Sequence, residues 1–115
     1  MRTEIHFKDI ERSEALESFA LDKVEPLSNY LHRADCHILV WLVSVNSRFA
    51  SGTPEYKCEI EVRYPPKHDV FVSKSSEDIY DAVNEATRAM TVLLRNRSKK
   101  EINSRNDVPR QARQL

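Results

Sequence analysis

Tyr56-Lys57-Cys58-Glu59-Ile60-Glu61-Val62-Arg63-Tyr64 is the stretch on which the fold turns. Tyr56, Cys58, Ile60, Val62 and Tyr64 alternate with Lys57, Glu59, Glu61 and Arg63. A period of two sends the first set to one side of an extended chain and the second set to the other. The spacing therefore predicts a strand with one face on a core and one open to solvent or a partner.

Upstream, Cys36 to Val45 is almost wholly apolar and rich in β-branched residues, which suits a more deeply buried strand. The intervening Asn46 to Pro54 holds the only glycine, Gly52, among Ser, Thr and Pro, and reads as a flexible hairpin loop. Downstream, Pro65-Pro66 stops the alternating strand and Asp69 to Lys74 is read as a fourth strand returning beside it. At the start of the chain, Glu4 to Lys8 alternates again, with Ile5 and Phe7 on one face.

Two helices complete the pattern. Ser13 stands at an N-cap position, Glu14 and Glu17 suit the positive end of a helix dipole, and Leu16, Phe19, Ala20, Val24, Leu27 and Leu31 recur at helical spacing. This predicts a helix over 14–31, with Pro26 bending its last turn or ending the regular part early. Ser75-x-x-Asp78 has capping-box form, and Ile79, Val83, Ala86, Met90, Leu93 and Leu94 follow at helical spacing, predicting a second helix over about 77–100. Such a helix outruns a short four-stranded sheet, so its last turns should project. The expected fold is α+β in the order β-α-β-β-β-α, a four-stranded sheet with both helices packed on one face, a dsRBD-like layout. One domain is expected over 1–101, followed by a basic, disordered tail over 102–115 that has lost apolar periodicity.

Zero net charge hides an asymmetry. Residues 1–85 carry 10 Lys+Arg against 16 Asp+Glu, whereas residues 86–115 carry 8 against 2. On a helical projection of about 100° per residue, Arg88, Arg95 and Lys99 fall within about 20° of one line, opposite the axis of Ile79, Val83, Ala86, Met90 and Leu93. Arg97 and Lys100 widen the stripe on the projecting turns, and Arg105, Arg110 and Arg113 extend the charge into the tail. A cationic ridge of this kind suits a polyanion. Lys and Arg also solvate helix faces and favour the negative end of a helix dipole, and the acidic residues earlier on that face, Asp81 and Glu85, fit that simpler account.

Other chemistries find little support. His6, His32, His37 and His68 fall in different elements with no i, i+4 pairing, and Cys36 and Cys58 sit in apolar segments without CxxC spacing, so no metal is expected and both thiols are read as core residues. A single glycine cannot build a nucleophile elbow or a phosphate cradle, so neither an enzyme, a cofactor nor a small-molecule substrate is expected. Glu59 and Glu61 share a face but alternate with Lys57 and Arg63, which reads as a solvated sheet surface rather than an acid-base pair. Strands one and three place no aromatic residue on their polar faces, which disfavours base stacking on the sheet. The longest apolar run, Ile38 to Val43, is far too short for a bilayer, and the first residues lack the apolar stretch of a secretion signal; a cytoplasmic protein without membrane contact is expected.

Ser13-Glu14-Ala15-Leu16, the run from Lys23 through Leu27 and Tyr30 to Arg33, and Asp78-Ile79-Tyr80-Asp81-Ala82-Val83 followed by a basic helix end resemble the short bacterial hibernation-promoting factors and ribosome-associated inhibitors, also labelled sigma-54 modulation proteins. The likeness spans about residues 1–101. It implies a β-α-β-β-β-α fold that binds 16S rRNA of the small ribosomal subunit in the channel used by mRNA and tRNA anticodon stems, blocking translation in stationary phase or stress. It also implies that Lys23, Arg33 and Lys100 stand where the family has basic residues facing ribosomal RNA, and that Tyr80 matches the family's tyrosine. Positions often basic in the family are Ala89, Val92 and Asn96 here, and Pro26 replaces a common lysine; the charge stands instead at Arg88, Arg95 and Arg97. The expected RNA-binding set is Lys23, Arg33, Arg88, Arg95, Arg97, Lys99 and Lys100, on a chain that is a monomer when free. The alternative is a protein-binding regulatory module, for example one modulating transcription, that uses the open sheet or its edge.

Overall fold

The computed structural model describes residues 2–31, 36–45, 54–63 and 69–106, with residues 97–106 described by their backbone only. The chain forms β1 (Arg2–Lys8), α1 (Glu14–Val24), a 3-10 segment (Glu25–Tyr30), β2 (His37–Val45), β3 (Glu55–Arg63), β4 (Val70–Ser76) and α2 (Ile79–Asn106). The strands lie in the order β1-β2-β3-β4, with β1 parallel to β2 and the other two pairs antiparallel. The parallel pair is joined through α1 and the 3-10 segment, the crossover that a parallel connection requires.

The registers fix the two faces. Ile38 pairs with Val62, Val40 with Ile5 and Ile60, Leu42 with Phe7 and Cys58, and Ile60 with Val72. These side chains meet Leu16, Ala20, Val24 and Leu27 from the first helical region and Ile79, Val83, Ala86, Met90 and Leu94 from α2 in one core. Both helices thus cover one face, as the alternation in β3 requires. Cys36 and Cys58 are buried, and burial pushes the Cys58 thiol up to about 12, with the neighbouring Glu59 charge adding to the effect.

Several boundaries move for local reasons. The first helix ends its α-form at Val24, and the chain continues as a 3-10 segment with Pro26 in its first turn. Proline has no N–H to donate there, yet the tighter winding still buries Leu27, and Leu31 just beyond it. Ser13 caps α1 as expected, its Oγ accepting the Leu16 N–H at 3.2 Å. The capping box at Ser75 does not form, because β4 runs on through Ser76. Asp78 caps α2 instead, its Oδ1 accepting the Tyr80 N–H at 2.8 Å. Asp9 closes β1 with φ 58°, a left-handed conformation that aspartate tolerates better than most residues.

At the other end, α2 reaches Asn106, so residues 102–106 of the expected tail are helical. Residues 107–115, the 46–53 part of the expected loop, and Tyr64 with Pro65-Pro66 lie outside the described residues. A 28-residue helix spans about 42 Å, whereas nine-residue strands such as β2 and β3 span about 30 Å. Leu94 is the last described residue of α2 that is buried. Arg95 and Asn96, which follow it, are exposed.

Candidate RNA interface

The stripe on α2 keeps its geometry with a corrected axis. The buried positions are Ile79, Ala82, Val83, Ala86, Met90 and Leu94, while Leu93 is 44% exposed. The helix has moved beyond the layer that would cover Leu93, and Leu94 takes the core position. Arg88 and Arg95 remain opposite the buried side, both exposed. Neither makes an ion pair or hydrogen bond with another described residue. Arg97, Lys99 and Lys100 are on the projecting helical backbone, and their side chains lie outside the described residues.

Lys23 is placed differently. It stands exposed in the last turn of α1, its Nζ 5.5 Å from the centroid of the Phe19 ring. Phe19 in turn meets Tyr80 edge to face, at 4.8 Å between centroids and 77° between planes. Lys23 is therefore tied to the first turn of α2, and from Tyr80 to Arg95 the axis rises about 22 Å. Among the described residues, Lys23 stands beside the first turn of α2, apart from Arg88 and Arg95. Arg33 falls in 32–35, outside the described residues.

The open face of the sheet carries a different electrostatic pattern. Arg2 Nε lies 3.4 Å from Glu4, Lys57 Nζ 3.3 Å from Glu59, and Arg63 Nε 3.4 Å from Glu61. Glu4 also accepts from His37 Nε2 at 2.6 Å and meets His6 Nε2 at 3.1 Å. The bond from His37, helped by Arg2 and His6, holds the Glu4 carboxyl below its ordinary value of 4.5. Glu59 and Glu61 are thus engaged with the cations beside them, which supports the solvated-surface reading.

That face is not free of aromatic residues. Trp41 projects from β2 and stacks on His6 at 4.4 Å and 21°, and Phe71 of β4 is 56% exposed. The expectation of a stacking-poor face came from strands one and three alone. In β2 a continuous apolar run hides which residues face outward, and only the pairing of Trp41 with His6 and Glu59 separates them. Beside it, an open cleft of about 450 Å³ is lined by Ile5, His6, Phe7, Ile10, Arg12 and Trp41. Its two polar groups are already engaged, His6 with Glu4 and Arg12 with Glu17 at 3.1 Å. Among the described residues, no group of His, Cys, Asp and Glu is placed to hold a metal ion, and no helix is long and apolar enough to cross a membrane.

A family model described as sigma 54 modulation protein / S30EA ribosomal protein matches residues 3–101. The chain belongs to this family. No curated protein matches the chain. Among solved structures, the N-terminal domain of Thermus thermophilus Protein Y superposes with a TM-score of 0.66 at 20% identity, covering 84% of this chain and 98% of that one. A ribosomal subunit interface protein from Coxiella burnetii gives a TM-score of 0.66 at 14% identity, covering 86% of this chain and 99% of that one. The family member described here therefore shares their α+β fold across nearly their whole length.

Proposed function

We propose that this chain is a non-enzymatic ribosome hibernation factor. It binds 16S rRNA of the small subunit in the mRNA and tRNA channel under stress or in stationary phase, and stops translation by occupying that space. Family membership supports a ribosomal partner, and the name of the Coxiella burnetii neighbour agrees with one. The observation that carries the reading to RNA is the contrast in pairing: Arg88 and Arg95 on α2 have no described partner, while Arg2, Lys57 and Arg63 on the sheet each have a carboxylate. Unpaired cations on a helix end that leaves the core can release counterions from a phosphate backbone without first breaking internal ion pairs. Lys23 and Arg33 supply further contacts, and Arg97, Lys99 and Lys100 complete the projecting end.

Co-sedimentation with isolated small subunits over a salt series tests this. Reversing Arg95, Lys99 and Lys100 to Glu is expected to weaken binding at least tenfold and to lower the slope of log affinity against log salt by about two to three, with the urea unfolding curve unchanged. Binding equal to that of the unaltered chain would sink the assignment. The second reading, a protein-binding regulatory module, takes its support from Trp41 and Phe71 on the open face; it predicts a shallow salt dependence.

A further inference from the structure

On the first turns of α2 a ridge that leads to Arg88 and Arg95 runs beside Asp81 and Glu85, the acidic residues of the same outward face. Steps of four and three residues from Tyr80 reach Asn84, Arg88, Thr91 and Arg95, which share one side of the helix. Asp81 and Glu85 lie about 100° and 140° around the axis from Tyr80. At the head of this ridge Tyr80 is 39% exposed, and its hydroxyl has no hydrogen-bond partner among the described residues. Its ring meets Phe19 edge to face, at 4.8 Å between centroids. Phe19, half-buried against the core, holds the ring from α1, and Lys23 sits over the same phenylalanine. The ring is thus fixed, partly bare and accompanied by a cation.

We infer that Tyr80 is a base-stacking contact for single-stranded RNA: its exposed ring takes one unpaired base, and Lys23 takes the adjoining phosphate. Stacking on a tyrosine is tolerant of base identity, because every base presents a π-face. It also contributes without counterion release, so it adds to the phosphate contacts of Arg88 and Arg95 without adding to their salt dependence. The separation from Tyr80 to Arg88 along the axis, about 12 Å, is roughly two nucleotides of extended single strand. One strand can therefore run from the aromatic contact onto the cations.

This inference rests on the RNA-binding reading above, and the test separates the two. The probe is a single-stranded oligouridine carrying one 2-aminopurine, whose fluorescence falls when it stacks. The unaltered chain and Tyr80→Phe are expected to quench it, and Lys23→Ala to quench it with the salt slope lowered by about 0.7. Tyr80→Leu, which keeps an apolar group against Phe19, is expected to bind about tenfold more weakly with no quenching and an unchanged salt slope. On the unaltered chain, the Tyr80 ring proton resonances are expected to move upfield as RNA is added, a measurement that needs no variant. RNA binding without quenching or ring shift in the unaltered chain, or quenching retained in Tyr80→Leu, overturns the assignment of Tyr80. Failure of the unaltered chain to bind the oligonucleotide while it still co-sediments with small subunits overturns the assignment of Tyr80 and leaves the ribosomal reading standing; failure to co-sediment overturns the ribosomal reading.

Discussion

The open face of the sheet and the outward face of α2 both look like charged, solvated surfaces in the sequence, yet the structure pairs Arg2, Lys57 and Arg63 of the sheet with carboxylates, Lys8 excepted, and leaves Arg88 and Arg95 of α2 without partners among the described residues. On the sheet, Lys57 and Arg63 stand two residues from Glu59 and Glu61 on one strand face, close enough to pair. On α2, Asp81 and Glu85 belong to the first two turns, and Arg88 and Arg95 lie beyond them without a described partner. A cation already beside a carboxylate offers little to an incoming phosphate, because binding must first displace its partner. Total charge is therefore a poor guide to a nucleic-acid surface; unpaired charge is a better one.

The comparison depends on α2 being held by the core at Leu94, with Arg95 and Asn96 beyond it exposed. Leu94→Ala removes the last buried anchor and is expected to cost about 2–5 kcal/mol in urea unfolding, whereas Leu93→Ala, one residue away and 44% exposed, is expected to cost less than about 1 kcal/mol. Equal losses would mean that the helix leaves the core elsewhere. A smaller effect tests the pairing itself. A double-mutant cycle on Glu61 and Arg63 is expected to give a coupling of about 0.2–1 kcal/mol, modest because the Arg63 side chain is 55% exposed, while Arg95→Ala is expected to change stability by less than about 0.5 kcal/mol. Zero coupling would make the sheet cations as available as those on the helix and would erase the contrast.

The smallest expected effect is one of pH. Glu4 is held below 4.5 by His37, with Arg2 and His6 assisting, so its ionised form is favoured in the folded state. A depressed carboxyl adds stability that is fully present above its unfolded value and is lost as pH falls through its folded value. Thermal unfolding of the unaltered chain and of Glu4→Gln should therefore differ at neutral pH and converge below about pH 4. A gap that stays constant into acid would show that Glu4 does not respond to protonation in this way.

Much of the architecture was legible because period and punctuation agree. The alternation in Tyr56–Tyr64, the Ser13 cap and the apolar spacing of both helices each specify a local structure whose buried side the fold then uses. The errors have local physical causes. Ser75 has the right spacing for a cap, but the ladder between β3 and β4 outcompetes the helix for it, pairing Ser75 with Lys57. Leu93 has helical spacing for the core, but no layer remains to cover it. Trp41 sits in a run with no polar residue to mark its two faces, so its exposure depends on the register with β1 and β3.

By itself, the sequence determined the order of elements, the single covered face of the sheet and the concentration of positive charge after residue 85, because periodicity and composition are properties of the chain alone. Tertiary structure decided that Leu94 is buried while Leu93 is exposed, and that Phe19, Lys23 and Tyr80 meet. Those depend on distances between residues far apart in the chain, which only the packing of α1 and α2 on the same sheet face sets.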